Sequence, residues 1–300
     1  MNASTASDER GRIRQDVPLA PLTTYKVGGL ARWMIEVDDE EQAVGAASLA
    51  ADRGVPVLVL GRGSNLVVSD QGFDGVVIRP GPGMAQTHVA TDGTVDAGAG
   101  CPLPAVAREA ARRGRSGLEF FVGIPGSVGG AVRMNAGCHG SDTAGWLLEA
   151  RVLDLGSGRA SNRTPADLAM SYRHSDLGEG EMVVSARFRT EHSTRREVEA
   201  RLREVTRWRR LNQPGGTLNA GSVFKNPPGD SAGRLIDSLG LKGLRIGAVE
   251  VSERHANFFV AGPGATAAEI RSLVEEVRRR VEEATGIVLD VELRFVGDFD

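Results

Sequence analysis

The chain has 300 residues, which is enough for two or three domains of ordinary size. Its formal net charge of -3, from 36 basic and 39 acidic residues, argues against a general binder of nucleic acid or of membrane surfaces. Two cysteines, Cys101 and Cys138, support neither a disulfide framework nor a metal site. Because the first residues are polar and no apolar run is long enough to span a bilayer, we expect a cytoplasmic protein.

The first part of the chain predicts a glycine loop between two strands. Residues 39–53 are predicted to form a helix, with a capping residue at its start and glycine beyond its end. Residues 57–60 and 66–68 are apolar and predict buried strands, which residues 61–65 join. A Rossmann fold places its glycine loop before a helix, so this order excludes it. Backbone N–H groups of such a loop can hold a phosphate, and a plain hairpin turn is the alternative.

Residues 117–140 form the most informative stretch of the sequence. Seven of these 24 residues are glycine, where average usage gives about two. Apolar residues lie between the glycines, so the stretch is not a polar linker. Glycine allows unusual backbone angles and close approach of the backbone to another group. The stretch therefore predicts either a cradle for a bulky ligand or a series of tight turns between strands, and its sequence leaves both open.

The rest of the chain predicts an α+β arrangement. The second of the four helices predicted here begins with a capping box of Thr194 and Glu197 and carries a buried apolar stripe, and the third is short and closed by Gly240. Residues 289–295 alternate between apolar and charged side chains, which predicts a final strand. Residues 212–216 are rich in glycine and proline and predict a domain boundary. The four helices are predicted over residues 103–113, 194–211, 231–239 and 266–285.

Three polar residues can carry chemistry, but each has an ordinary structural explanation. Ser222 lies in a short glycine-led strand, where a serine is usually structural, and no Ser-His-Asp order is evident. Arg173 can clamp an anion through two hydrogen bonds, although a surface arginine is commoner. Glu292 shares a strand face with Asp290 and Arg294, which by default is an exposed, salt-bridged face. Considered one at a time, these residues do not define a site.

Eight short segments in a fixed order give the sequence a family resemblance. Among them, residues 60–65 read Leu-Gly-Arg-Gly-Ser-Asn, and residues 221–227 read Gly-Ser-Val-Phe-Lys-Asn-Pro. With these segments the chain resembles the UDP-N-acetylenolpyruvoylglucosamine reductase (MurB) family of peptidoglycan precursor synthesis, in the shorter of its two types. The other six segments are residues 23–29, 117–140, 172–173, 239–243, 255–258 and 292–297.

The resemblance implies an α+β fold with a bound FAD. It predicts an FAD-binding module of the vanillyl-alcohol-oxidase type in two subdomains, followed by a C-terminal α+β substrate-binding domain that includes the catalytic strand. The expected division is a flexible tail at 1–16, FAD-binding subdomains at 17–80 and 81–192, and the substrate-binding domain at 193–300.

Two loops are expected to bind the cofactor. Loop 1, residues 61–65, would hold the FAD diphosphate, and loop 2, residues 123–130, would lie along the flavin. The FAD-binding residues implied in loop 1 are Gly61, Arg62, Gly63, Ser64 and Asn65. Those implied in loop 2 are Gly123, Ile124, Pro125, Gly126, Ser127, Gly129 and Gly130.

The resemblance also implies a reaction in two halves. NADPH reduces FAD, and hydride then passes to the enolpyruvyl double bond of a UDP-sugar. Arg173 matches the family's catalytic arginine, Ser222 its proton donor and Glu292 its catalytic carboxylate. Lys225 is a candidate for stabilising the serine after proton transfer. The residues implied in substrate binding are Tyr172, Gln213, Lys225, Asn226 and Arg294. No obligate protein partner is expected.

Some positions depart from the family pattern, and two other functions stay open. Leu22, Asp290 and the pair Cys138-His139 differ from the residues usual in the family. Many oxidases of the same fold attach flavin covalently through His or Cys, so an alcohol or sugar oxidase using His139 or Cys138 is one alternative. A nucleotide-sugar binder that has lost catalysis is the other.

Overall fold

Six α-helices and eighteen short strands are present in residues 13–299, the part of the chain that the computed structural model describes. The helices are α1 (Glu40–Arg53), α2 (Leu103–Arg112), α3 (Val128–Met134), α4 (Arg195–Asn212), α5 (Ala232–Ser238) and α6 (Ala267–Thr285). The first nine strands are β1 (Ile13–Pro18), β2 (Leu30–Val37), β3 (Val57–Val59), β4 (Leu66–Val68), β5 (Phe73–Pro80), β6 (Thr87–Val89), β7 (Val95–Gly98), β8 (Arg115–Ser116) and β9 (Gly137–Cys138). The others are β10 (Ser141–Asp142), β11 (Leu147–Asp154), β12 (Ala160–Arg163), β13 (Glu181–Phe188), β14 (Glu191–His192), β15 (Arg245–Ile246), β16 (Val249–Val251), β17 (Phe259–Ala261) and β18 (Arg294–Val296).

The first sheet has the strand order β1-β2-β5-β3, with β1 antiparallel to its neighbour and the others parallel. α1 covers this sheet with small side chains that allow close packing. The helix is capped at its start, where Asp39 Oδ1 accepts the Gln42 N–H at 2.8 Å. It ends at Gly54, whose φ of +62° is left-handed. The predicted helix at 39–53 is confirmed. Its buried residues are Ala43, Ala46, Ala47 and Ala50.

The second sheet is antiparallel, in the order β12-β11-β13-β7-β6. Its core includes residues of α2, of α3 and of the short 3-10 helix Glu119–Gly123. There the rings of Phe121 and Phe188 meet edge-on with centroids 5.4 Å apart. α4 adds Val198 and Leu202 to the same core, although it lies within the range 193–300 predicted for the third domain. After α4 the chain leaves this core and enters the next one, close to residues 212–216, where the sequence predicts a domain boundary.

The last core lies between α5, α6 and the antiparallel sheet β15-β16-β17. Residues from the start of the chain, including Tyr25, Val27 and Val67, complete it. β18 leaves this unit and pairs in parallel with β4, so the end of the chain returns to its first third. Sheets with helices packed on them confirm the predicted α+β class. The predicted inward stripe of α6 is also confirmed, with Ile270, Leu273, Val274, Val277 and Val281 buried.

Two predictions about regular structure are corrected. Residues 1–12 of the predicted tail lie outside the described residues, whereas residues 13–16 belong to β1, so the tail prediction is wrong for them. The predicted final strand is regular only over Arg294–Val296, and a single bridge between Phe224 and Val291 pairs its earlier part. The strand is interrupted because the segment changes its partner, from the Phe224 segment at Val291 to β4 at Arg294. Its alternation is still visible, since Leu289 and Leu293 are buried.

Both glycine-rich stretches differ from simple turns. Loop 1 is not a hairpin, because β3 pairs with β5 whereas β4 pairs with β18. Residues 117–140 contain a 3-10 helix and α3, so a series of turns between strands is the wrong interpretation. Among residues 13–299, no helix combines the length and the apolar composition that crossing a membrane needs.

Candidate active site

Arg173 lies at the tip of a tight turn closed by two backbone hydrogen bonds between Ser171 and His174, both 3.1 Å long. Its φ of +54° is in the left-handed region, which is uncommon for arginine. The guanidinium Nε lies 2.9 Å from Glu292 Oε1, and Nη2 donates to the Gly137 carbonyl at 2.7 Å. The cationic group is therefore held from two sides, by a strand-like segment near the C-terminus and by β9.

Glu292 is mostly buried, with 15% of its side chain exposed against 19% for Arg173. The interpretation of its strand face as an exposed surface is wrong at this position, because the turn that carries Arg173 covers it. Burial raises the pKa of Glu292, and the positive charges of Arg173 and Lys225 oppose that rise. A buried ion pair contributes little net stability. A buried pair in which the pKa of the carboxyl group is raised therefore points to a functional site.

The segment that carries Ser222 runs beside the Glu292 segment. The Glu292 N–H donates to the Val223 carbonyl at 2.8 Å, and the Lys225 N–H donates to the Asp290 carbonyl at 2.8 Å. These bonds place Ser222 one residue from the point where the two segments are joined. Ser222 is half-buried and follows the left-handed Gly221 in the chain. The structure thus brings the three predicted catalytic residues to one region, with Arg173 and Glu292 in direct contact.

A buried asparagine holds the other side of this segment. Asn257 Nδ2 donates to the Phe224 carbonyl at 2.8 Å, and its Oδ1 accepts the Phe224 N–H at 2.9 Å. The Val223 N–H in turn donates to the Asn257 carbonyl at 2.9 Å. The side-chain amide therefore pairs with Phe224 as a neighbouring strand would. Because all these groups are buried, the position of Ser222 is fixed from both sides.

Two of the predicted substrate-binding residues adjoin this region. Tyr172 is 52% exposed, and its hydroxyl accepts the Asn226 N–H at 3.3 Å. Asn226 Oδ1 accepts the N–H of Ala232, the first residue of α5. The turn at 171–174 and the segment after Lys225 are thus in contact across the site, leaving the Tyr172 ring open to solvent.

Two further predicted substrate-binding residues, Gln213 and Arg294, make side-chain contacts away from the Arg173–Glu292 pair. Gln213 Oε1 accepts a hydrogen bond from Arg209 Nε at 2.7 Å. Arg294 Nη2 lies 3.6 Å from Glu179 Oε1, an exposed ion pair of small energetic value. Arg294 also belongs to β18, so its backbone is fixed by pairing with β4.

Loops 1 and 2 contact each other. Arg62 Nε donates to the Pro125 carbonyl at 3.0 Å. A Cβ on Gly61 would collide with Ser127 Oγ, so glycine at that position lets the two loops approach. Ser127 itself is buried, and its backbone forms an isolated bridge with Pro102. The two loops predicted from the sequence to bind FAD therefore form one continuous surface.

A buried polar group without a partner and two glycines with space beside their backbone lie at this surface. Thr24 Oγ1 is buried and has no hydrogen-bond partner among the described residues, while the Thr24 N–H donates to the Gly63 carbonyl of loop 1. A Cβ on Gly126 or Gly130 would lie no closer than 3.4 Å to protein atoms, so packing alone does not require glycine there. Glycine at such positions lets a ligand approach the backbone. These features fit FAD bound on loops 1 and 2.

Asn65 connects loop 1 to the Glu292 segment. Its Nδ2 donates to the Glu292 carbonyl at 2.9 Å, and its own carbonyl accepts the Arg294 N–H at 3.0 Å. Through its side chain and its backbone, Asn65 therefore fixes the segment that carries Glu292. Asn65 thus joins the loop that the sequence predicts to bind FAD to the segment that carries the carboxylate.

Comparison with known proteins identifies the family. Residues 31–162 match the model of an FAD binding domain, and residues 213–296 match that of the UDP-N-acetylenolpyruvoylglucosamine reductase C-terminal domain. The UDP-N-acetylenolpyruvoylglucosamine reductase of Methylorubrum populi is 46% identical over 98% of this chain and 94% of its own length. The chain belongs to the UDP-N-acetylenolpyruvoylglucosamine reductase family.

Other members of the family agree with this assignment. UDP-N-acetylenolpyruvoylglucosamine reductase 2 of Symbiobacterium thermophilum is 44% identical over 96% of this chain and 93% of its own length. The crystal structure of the reductase from Thermus caldophilus superposes with a TM-score of 0.83 at 38% identity, covering 95% of this chain and all of the other. The predicted family and the fold of an FAD-binding module followed by a C-terminal domain are confirmed. The protein is an oxidoreductase with an FAD-binding domain.

Sequence analysis missed some residues of the site. Arg209 is half-buried, and this burial lowers its pKa. Arg209 lies in the arginine-rich helix α4, four residues before Gln213. Side chains at this spacing are neighbours on a helix, and that was the available signal for their hydrogen bond. Asn135 and Asn257 are buried amides that hold segments of the site, and a single asparagine in a sequence carries no such signal.

Proposed function

We propose that this protein catalyses the NADPH-dependent reduction of UDP-N-acetylglucosamine enolpyruvate to UDP-N-acetylmuramate, a step of peptidoglycan precursor synthesis in the cytoplasm. The observation that carries the proposal is the buried Arg173–Glu292 pair beside Ser222. Loops 1 and 2 would hold FAD, which would supply a hydride carrier between NADPH and the double bond. The relatives named above as reductases of this nucleotide sugar support the choice of substrate.

Arg173 is suited to stabilise charge on the substrate. When the terminal carbon of the double bond gains hydride, negative charge develops on the adjacent carbon and spreads into the carboxylate. A guanidinium is permanently charged and can bind a carboxylate with two parallel hydrogen bonds. An interaction that strengthens as this charge develops lowers the barrier. Because Glu292 and Gly137 already hold the Arg173 side chain, little reorganisation is needed at that moment.

Ser222 is the proposed proton donor to the adjacent carbon. A serine hydroxyl is a weak acid, but an enolate carbon is a strong base, so the transfer is feasible when the resulting alkoxide is stabilised. Lys225 lies close enough to the carboxylate of Glu292 to influence its pKa, so its positive charge belongs to the same site. We assign Lys225 to stabilising the serine oxygen or the substrate.

Glu292 is proposed to hold Arg173 in place. Its carboxylate bonds the guanidinium directly, and its raised pKa also lets it carry a proton near the substrate carboxylate. Substrate binding is assigned to Tyr172 and Asn226, which flank the site, and to Gln213 and Arg294 at its periphery.

A flavin experiment tests this function. We expect the purified protein to be yellow, to lose its colour when NADPH is added, and to regain it without oxygen when UDP-N-acetylglucosamine enolpyruvate is added. A reduced protein that this nucleotide sugar cannot reoxidise contradicts the proposed function. NADH in place of NADPH, compared at the same concentration, measures the preference for the reductant.

The structure offers little support for an oxidase with covalent flavin at Cys138. Burial raises the pKa of the Cys138 thiol to about 11, and its Sγ donates to the Phe120 carbonyl at 3.2 Å. A neutral thiol that packs inward is a poor nucleophile. Acid precipitation distinguishes the two functions, because yellow colour that stays with the denatured protein is expected only of a covalent flavoprotein. A binder without catalysis would leave reduced flavin unchanged in the reoxidation experiment.

A further inference from the structure

A single buried side chain connects the turn that carries Arg173 to both α3 and the β9–β10 hairpin. Asn135 is 1% exposed and directly follows α3. Its Nδ2 donates to the Ser171 carbonyl at 2.8 Å and to Asp142 Oδ2 at 3.2 Å. Its Oδ1 accepts the Ala144 N–H at 2.9 Å. Both amide protons and the amide oxygen are thus used, on the 171–174 turn and on residues 142–144.

Each of these bonds bears on the position of Arg173. Ser171 forms one end of the closed turn at 171–174, so the bond to its carbonyl fixes the turn's backbone. Asp142 pairs with Gly137 in the β9–β10 hairpin, and the Gly137 carbonyl accepts the Arg173 guanidinium. Asn135 therefore holds both the backbone from which Arg173 extends and the strand that receives its side chain.

The backbone at Asn135 explains why an asparagine occupies this position. Its φ of +40° is left-handed, and its N–H closes the end of α3. Asparagine tolerates this conformation better than most residues, and its amide supplies both donors and an acceptor. The end of α3 follows loop 2, on which FAD is proposed to lie, so the same residue relates Arg173 to the cofactor surface.

We propose that Asn135 is a positioning residue, which fixes the Arg173 guanidinium relative to loop 2 for the reduction of the substrate. The inference rests on the proposed function, and it assigns to Asn135 no contact with substrate or cofactor. Its removal is expected to affect the step in which Arg173 acts, not the reduction of flavin by NADPH. Misplacement of a catalytic group by a small distance can lower a rate by up to about 100-fold.

The test compares the two half-reactions by rapid mixing in FAD-bound variants. Asn135→Gly keeps the left-handed backbone and removes the side chain, and Asn135→Asp keeps the shape but replaces both donors with a carboxylate beside Asp142. We expect both variants to lose about 10- to 100-fold in reoxidation by the enolpyruvyl substrate at saturation. Flavin reduction is expected to stay within about twofold, because Arg173 has no part in that step.

Thr143→Val is the matched control. Thr143 is fully buried, and its Oγ1 donates to the Ala136 carbonyl at 2.8 Å within the same hairpin region, away from the 171–174 turn. The control is expected to reoxidise at the wild-type rate. Equal losses in Thr143→Val, or equal losses in both half-reactions of the Asn135 variants, would mean that general loosening explains the effect and would overturn the proposal.

A double-variant cycle tests whether Asn135 acts through Arg173. Asn135→Gly is expected to cause no further loss of reoxidation rate when Arg173→Ala is already present. If the losses of rate from the two single substitutions multiply in the double variant, Asn135 acts independently of Arg173 and the proposal is overturned. Wild-type protein that the substrate cannot reoxidise would contradict the proposed function itself, and with it the step assigned to Arg173. If the wild-type protein is active but the losses from the two substitutions multiply, only the role of Asn135 is contradicted.

Discussion

The Arg173–Glu292 ion pair is more useful for chemistry than for stability. Both side chains are less than one-fifth exposed, so each charge loses much of its hydration. The attraction between such charges roughly offsets that loss, and replacing a buried pair with apolar groups is often neutral or stabilising. Removing only one partner leaves a buried charge without a counter-ion. The pair is therefore expected where a fixed cation is needed, and the Gly137 carbonyl bond fixes it further.

Ser222→Ala tests the proton donor. Flavin reduction by NADPH is expected to be unchanged, because no proton from Ser222 is used in that half-reaction. Reoxidation by the enolpyruvyl substrate is expected to slow by about 10² to 10⁴, the usual value of general acid catalysis. Rapid mixing measures both rates, with Ser238→Ala as a control, since the Ser238 hydroxyl bonds the Leu235 carbonyl of its own helix. An unchanged rate of reoxidation would exclude Ser222 as the donor.

The raised pKa of Glu292 predicts a dependence of stability on pH. The folded protein binds the proton of the Glu292 carboxyl more tightly than the unfolded chain does. The stabilisation that this difference gives is fully present below the ordinary pKa of 4.5. That contribution is lost as pH rises through the raised pKa of the folded state. Urea denaturation at a series of pH values measures it. The free energy of unfolding of wild type, relative to Glu292→Gln, is expected to fall as pH rises through this window; a rise would contradict the assignment.

At the scale of elements, side-chain amides replace strand partners in this site. Asn257 supplies both hydrogen bonds that a neighbouring strand would give to Phe224. The other edge of the same segment pairs with the Glu292 segment through Val223 and Lys225. The Phe224 segment thus lies between the Asn257 side chain and the Glu292 segment. This arrangement holds the segment that carries Ser222 without a regular sheet, and the Ser222 side chain takes no part in the pairing.

Asn257→Ala is expected to destabilise the C-terminal unit. It leaves the buried N–H and carbonyl of Phe224 without partners, at a cost of about 1–3 kcal/mol for each group. Urea unfolding of the FAD-bound protein measures the change. Asn162→Ala is the control, because Asn162 lies exposed on the edge strand β12 and is expected to change stability by less than about 0.5 kcal/mol. Equal effects of the two substitutions would show that the Asn257 pairing contributes nothing.

Local signals predicted elements well and the site only in part. The capping box of Thr194 and Glu197 predicted where α4 begins, because caps act within one turn. The burial of Glu292 was not predictable from strand alternation, since the covering turn at 171–174 is distant in sequence. The family resemblance supplied that contact's two residues, but not the amides of Asn135 and Asn257 that hold them.

At the scale of the whole molecule, contacts between the two ends of the chain join the cofactor surface to the C-terminal unit. β18 pairs with β4, directly after loop 1. Asn65 of loop 1 bonds the Glu292 carbonyl. Asp70, just beyond β4, accepts the N–H groups of Ala267 and Ala268 at the start of α6, at 2.9 and 3.0 Å. FAD held by loop 1 is therefore expected to stabilise the C-terminal unit as well as its own subdomains.

This coupling predicts that FAD release and loss of helix coincide on heating. A ligand that binds only the folded state stabilises it by about 2.7 kcal/mol when its concentration is 100 times its Kd. The β4–β18 pairing and the contact of Asp70 with the start of α6 are expected to extend this stabilisation to α6. Flavin fluorescence and circular dichroism measure the two events. Asp70→Ala removes a capping group worth about 1 kcal/mol and is expected to lower both midpoints equally. An independent C-terminal unit would instead lose α6 at a lower temperature while flavin stays bound, and Asp70→Ala would move only that first transition.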